Sequence, residues 1–213
     1  MISRLLNRQR LMPLTQPRGA TPFMLISGFA LLGLGGCASP AAGPTSYMLP
    51  SSVAEQHHDS RLAIMVAPVR IAGHLDSEGI VMQLNDIEVY QARQHLWAED
   101  IAQQLQQQLQ QRLALALPQA QVVGKGQPLQ SSLPVRDIRV QVTRFQGQQD
   151  GDALAEGQWQ LLDGAGKLLK QRRFSISEPL ENDGYPALVR ALGGAWEQLV
   201  DTLAAELVAT SKS

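Results

Sequence analysis

Cysteine is all but missing from this chain, with Cys37 the single example in 213 residues. An internal disulfide is therefore impossible, and so is any zinc site built on several thiolates. Acidic residues are missing before Cys37, where Arg4, Arg8, Arg10 and Arg18 stand alone. A long apolar run is missing there too. Phe23 to Leu34 spans about a dozen residues, short of the roughly 20 that a helix needs to cross a bilayer. Aromatics make up only 5 % of the chain, and Trp97, Trp159 and Trp196 each sit on an apolar stripe or strand, as core anchors do. No basic stripe for nucleic acid is present.

A basic segment, a short apolar core and small residues before a cysteine form the three parts of an export signal. Leu34-Gly35-Gly36-Cys37 matches the bacterial lipobox, with Leu three positions before the thiol. Cleavage between Gly36 and Cys37 is expected, with diacylglycerol on the thiol and acylation of the new amino terminus. Several acyl chains anchor firmly where one binds only reversibly. Loss of the four arginines leaves 14 basic residues against 19 acidic, a net charge of about −5. Ala38 and Ser39 follow the cysteine in place of the aspartate that retains lipoproteins at the inner membrane, so outer-membrane sorting is expected.

Residues 1–36 are thus read as signal peptide, 37–60 as a lipidated tether and 61–209 as one domain, with a possible start near 46. The segment from Ala38 to Ser60 is rich in Ala, Ser, Pro, Gly and His, a linker composition. Tyr47-Met48-Leu49 interrupts it with an apolar patch able to add a first strand.

Apolar and alternating runs predict the strands. They fall at Leu62–Val69, Ile80–Leu84, Ile87–Gln91, Val135–Phe145, Ala153–Leu162 and Lys167–Ile176. Asn85-Asp86 marks one hairpin, and the glycines of Asp163-Gly164-Ala165-Gly166 mark another. Arg172 and Arg173 on the last strand are expected to protect an edge or, as the alternative, to face a carboxylate partner. Between Gln94 and Leu117, apolar residues recur every fourth position from Trp97 to Leu113, predicting a long helix stopped by Pro118. Seven glutamines between Gln103 and Gln111 cover its other face, as a solvated surface or one cheaply desolvated against a partner. A second helix is expected over Tyr185–Ala209, where Gly193-Gly194 predicts close backbone packing on the sheet or the first helix. The fold class is α+β, with a mostly antiparallel or mixed sheet packed against two long amphipathic helices.

Catalytic chemistry finds little support. His57-His58 lies in the tether and is not spaced as a metal site. His74, Asp76 and Glu78 share a loop, but no nucleophile accompanies them. Gly124-Lys125-Gly126 lacks the length and the hydroxyl residue of a phosphate loop. No catalytic, cofactor or metal residue is assigned, and Cys37 is the one predicted site, for lipidation.

The ordered set of motifs resembles a known family. Tyr47-x-Leu49, Ala67-Pro68-Val69, Ile80-Val81 and Trp97-Ala98-Glu99 are followed by Val140-x-Val142-x-x-Phe145, Gly157-x-Trp159-x-Leu161, Asp163-x-x-Gly166 and Arg173-Phe174. With Tyr185, Ala187, Leu188 and Leu199 in the last helix, these resemble the ABC-type transport auxiliary lipoproteins, and among them the lipoproteins of paraquat-inducible transport systems. Met82-Gln83 stand where that family often carries an arginine. The resemblance implies a non-enzymatic subunit of envelope phospholipid transport, docking a periplasm-spanning MCE protein at the outer membrane and able to form homo-oligomeric rings. Two rival expectations remain: a lipid or amphiphile held between sheet and helices, and a hydrolase built on His74, Asp76 and Glu78.

Overall fold

A computed structural model describes residues 43–211 apart from 55, 130 and 131. Its spine is β7 (Val135–Gly147), a 13-residue strand whose alternation places Ile138, Val140, Val142 and Phe145 on one face. Along one edge it pairs antiparallel with β8 (Asp152–Asp163), which in turn carries β9 (Leu168–Pro179). Along its other edge three short strands line up parallel to it: β2 (Ala63–Val66), β3 (Arg70–Ile71) and β4 (Gly79–Gln83). β2 then pairs with β6 (Gln121–Gly124), while β4 continues to β5 (Val89–Trp97) and β5 to β1 (Thr45–Tyr47).

The molecule is therefore α+β with a mixed sheet. The meander β7–β8–β9 is antiparallel, as its glycine turn predicts, but five of the eight recorded strand pairings are parallel. A mostly antiparallel sheet thus holds only for the meander and for the β4–β5 hairpin. Sequence alternation reports which face a residue takes and is silent on which strand lies beside it, so the parallel partners of β7 were not legible.

Both helices cover one face of the sheet. Leu105, Leu109 and Leu113 of α1 (Ile101–Ala116) and Leu192, Trp196, Leu199, Leu203 and Leu207 of α2 (Tyr185–Ser211) meet Ile138, Val140, Trp159 and Leu161 in one core. Trp196 is fully buried, and its Nε1 donates to the Leu105 carbonyl at 3.2 Å. Phe145 joins it edge-on at 6.4 Å between ring centres, with Trp97 beyond at 6.3 Å. α1 is amphipathic, but α2 buries a wider surface, since sheet and α1 approach it from different sides.

α1 begins seven residues later than its periodicity predicts. Gln94 to Trp97 complete β5, and the Asp100 carboxylate caps the helix by accepting from the Gln103 amide at 2.9 Å. Trp97 keeps the four-residue spacing because the strand's last inward position happens to precede Ile101 by one turn.

The described residues between Leu49 and Ser60 lie along the helices as a strap. Leu49 and Ala54 are buried, and the glutamines of α1 bond the strap's backbone. Gln104 Oε1 accepts from the Leu49 amide at 2.8 Å, and Gln108 Nε2 donates to the carbonyls of Leu49 and Pro50 at 3.0 and 2.8 Å. Arg112 clamps the other end. Its guanidinium reaches Asp201 at 2.7 and 2.8 Å, Glu197 at 3.2 Å and Ser52 Oγ at 3.1 Å. The amide of His58 and the Nδ1–H of His57 donate to the Ala116 and Leu115 carbonyls, capping the end of α1. A Cβ on Gly193 would stand 2.8 Å from Pro50 Cγ, so this glycine makes room for the strap and not for the sheet or α1.

Candidate docking surface

The second face of the meander is covered by neither helix. Arg139, Gln141 and Thr143 of β7, Gln158 and Gln160 of β8, and Gln171, Arg173 and Ser175 of β9 all alternate onto it. Register then joins the glutamines. Gln158 donates to Gln141 at 3.0 Å and Gln160 donates to Gln171 at 3.0 Å, while Gln171 donates to Gln158 at 3.4 Å. Four amides thereby form a ladder across three strands.

Cations rim this ladder. Arg70, Lys125 and Arg139 line a groove of about 460 Å³ beside Pro68, Gln158 and Gln160, and Arg173 lines a second of about 580 Å³ with Gln141 and Thr143. Asp137 is the buried counter-charge, holding Arg139 at 3.1 Å and Lys125 at 3.5 Å. Glu156 pairs with Arg144 at 3.3 Å and accepts from Ser175 at 2.7 Å. Each amide in the ladder has donors and acceptors to spare, and the guanidinium groups suit carboxylates. Such a surface is suited to polar and anionic groups.

The residues singled out from sequence are dispersed. Cys37 lies outside the described residues, as does the signal segment. His74 and Asp76 sit in and after a short 3₁₀ turn (Gly73–Leu75), and no hydrogen bond or ion pair joins the side chains of His74, Asp76 and Glu78. Lys125 contributes to the basic groove. Among the described residues no group of three or more His, Cys, Asp or Glu side chains is placed to hold a metal. Three of the seven glutamines of α1 are spent within the chain: besides Gln104 and Gln108, Gln106 Oε1 accepts from the Val69 amide at 2.8 Å, while Gln103, Gln107 and Gln111 stay exposed. The ladder on the open face was not read from sequence. Its signal was there, as Gln158-x-Gln160 on one strand with Gln141 and Gln171 on its neighbours, but register was needed to join them.

The profile of the ABC-type transport auxiliary lipoprotein component family matches residues 47–204. The chain belongs to that family. The family is a transport component and not an enzyme, which sets aside the hydrolase expectation. This auxiliary lipoprotein is 33 % identical over 181 residues to the intermembrane transport lipoprotein PqiC of Escherichia coli (strain K12), spanning 84 % of this chain and 94 % of that one. The Shigella flexneri protein of the same name matches to the same extent. A crystal structure of an uncharacterized protein superposes with a TM-score of 0.66 at 29 % identity, covering 78 % of this chain and 99 % of its own. Protein XCC0632 from Xanthomonas campestris shares the fold at a TM-score of 0.59 and 16 % identity, over 81 % of this chain and 99 % of its own. Among the described residues no helix of the lipoprotein is long and apolar enough to cross a membrane.

Proposed function

We propose that this auxiliary lipoprotein serves phospholipid transport between membranes as an outer-membrane docking component for a periplasm-spanning MCE protein. Its membership of the transport auxiliary family over 47–204 carries the reading, together with its likeness to a protein named for intermembrane transport. Residues 1–36 are removed, Cys37 is acylated, and the domain faces the periplasm. The ladder of Gln141, Gln158, Gln160 and Gln171, with Arg139 and Arg173, is the surface that receives the partner, because it is open, polar and positively rimmed. Several copies arranged as a ring would present that surface repeatedly to one partner.

A lipid held between sheet and helices is the weaker reading, because Trp196, Leu105, Leu109, Leu113, Ile138 and Leu192 occupy that space with no exposure to solvent. Affinity capture with the acylated chain should recover the periplasm-spanning MCE protein from envelope extracts. Arg173→Glu, which leaves the Arg139–Asp137 pair intact, should abolish recovery without unfolding the domain. Capture of no MCE protein, with no envelope defect on deletion, removes the proposal.

A further inference from the structure

The β4–β5 hairpin ends in an apolar tip. Ile87 is 89 % exposed, and Leu84, Val89 and Tyr90 are 41 %, 42 % and 43 % exposed, the densest run of exposed large apolar residues in the described chain. The tip is built and held. Asn85 Oδ1 accepts from the amides of Ile87 and Glu88 at 3.0 and 2.9 Å, its Nδ2 donates to Glu88 at 3.0 Å, and the Leu84 amide donates to the Glu88 carbonyl at 2.9 Å. A turn stabilised in this way while projecting an isoleucine into water needs a reason outside the core.

The direction of β1 supplies one. β1 runs parallel to β5, with Thr45 opposite His95 and Tyr47 opposite Trp97, so the chain enters β1 from the end of the sheet where the tip lies. From the level of Thr45 to Val89 is six positions of β5, about 20 Å at the rise of a strand. Eight Cα–Cα steps lead from Cys37 to Thr45, and a chain of that length reaches at most about 29 Å. An acyl anchor on Cys37 therefore keeps the bilayer within reach of the tip. Asp86 and Glu88 flank the apolar residues, and the cation lining the groove beside them, Arg144, is already paired with Glu156 at 3.3 Å. That charge pattern excludes attraction to an anionic surface and suits a zwitterionic one.

We infer that the tip formed by Leu84, Ile87, Val89 and Tyr90 is a second membrane contact, dipping into the zwitterionic leaflet that holds the lipid on Cys37. The inference rests on the acylation proposed above. With anchor and tip together, the domain stands on its membrane in one orientation, where an anchor alone lets it tumble.

The test uses the full acylated chain in phosphatidylcholine–phosphatidylethanolamine vesicles. Because Cys37 is the only natural thiol, Ile87→Cys accepts one environment-sensitive dye, and Ala165→Cys, in the exposed β8–β9 turn at the far end of the sheet, is the control. Brominated acyl chains should quench the dye at 87 and leave the dye at 165 untouched. Ile87→Asp, fully tolerable at so exposed a site, should lower the vesicle affinity of a Cys37→Ser chain by about tenfold or more. Equal quenching at both positions, or none at 87 with acylation of Cys37 verified by mass spectrometry, overturns the inference and leaves the lipid anchor standing. So does a dye at 87 shielded by a second copy in detergent without a bilayer. Absence of acyl groups on Cys37 overturns the anchor instead, and the Cys37→Ser titration then judges the tip alone.

Discussion

Gly157 sits opposite the irregularity in β7, where the register slips between Val142 and Arg144. A Cβ there would stand 2.0 Å from the Gln141 carbonyl oxygen and 2.8 Å from Phe174 Cζ. No side-chain motion relieves a clash with backbone, so Gly157→Ala is expected to cost about 3 kcal/mol, read as a lower urea midpoint. Arg112 acts differently, joining α1 to α2 and to the strap through Asp201, Glu197 and Ser52. Arg112→Ala leaves two carboxylates unpaired, and Asp201 is partly open to water, so the expected loss is about 2 kcal/mol. Tyr185 stacks on His95 at 3.9 Å between ring centres, and His95 in turn meets the Tyr47 hydroxyl at 2.9 Å. Burial pushes the Tyr185 phenol above its ordinary 10, with Tyr90 and Tyr47 adding to the shift. The folded state thus holds this proton more tightly than the unfolded chain. Its contribution is complete below pH 10 and is lost as pH rises through the raised value. Stability measured between pH 9 and 11 should fall less steeply for Tyr185→Phe.

The strap and the two helices form a single construction. Gly193 and Gly194 are neighbours in α2 with opposite roles, since a Cβ on Gly193 meets Pro50 while one on Gly194 meets nothing within 4 Å. Gly194→Ala should therefore stabilise the protein by about 0.5 to 1 kcal/mol, the ordinary helix gain. Gly193→Ala should release the strap, seen as faster hydrogen exchange at the Leu49, Ser52 and His58 amides. Asp100→Ala removes the α1 cap and should cost about 1 kcal/mol, measured by denaturant titration. Much of this was legible: the meander, the second helix and the three buried tryptophans all follow from alternation, periodicity and the Asp163–Gly166 turn. The strap was not. Its linker composition carries little apolar drive, and it is ordered by hydrogen bonds with Gln104, Gln108 and Arg112, residues 55 to 60 positions away.

For the whole molecule, one face of the sheet is closed by helices and the other is left polar. The closed face holds the fold together, and among the described residues no helix covers the meander's other face. Cys37→Ser in cells should remove the chain from the outer-membrane fraction, checked by fractionation, and should abolish envelope function even though the domain folds unchanged.

Taken alone, the sequence determined the α+β class and most element types, because these depend on local composition and on periods of 2 and 3.6 residues. Only the tertiary structure decided that β7 takes three parallel partners, that the glutamines of α1 hold a strap, and that those of the meander join into an exposed ladder. Each of these depends on which segments lie side by side. That is settled by packing between residues far apart in the chain, where local pattern carries no record.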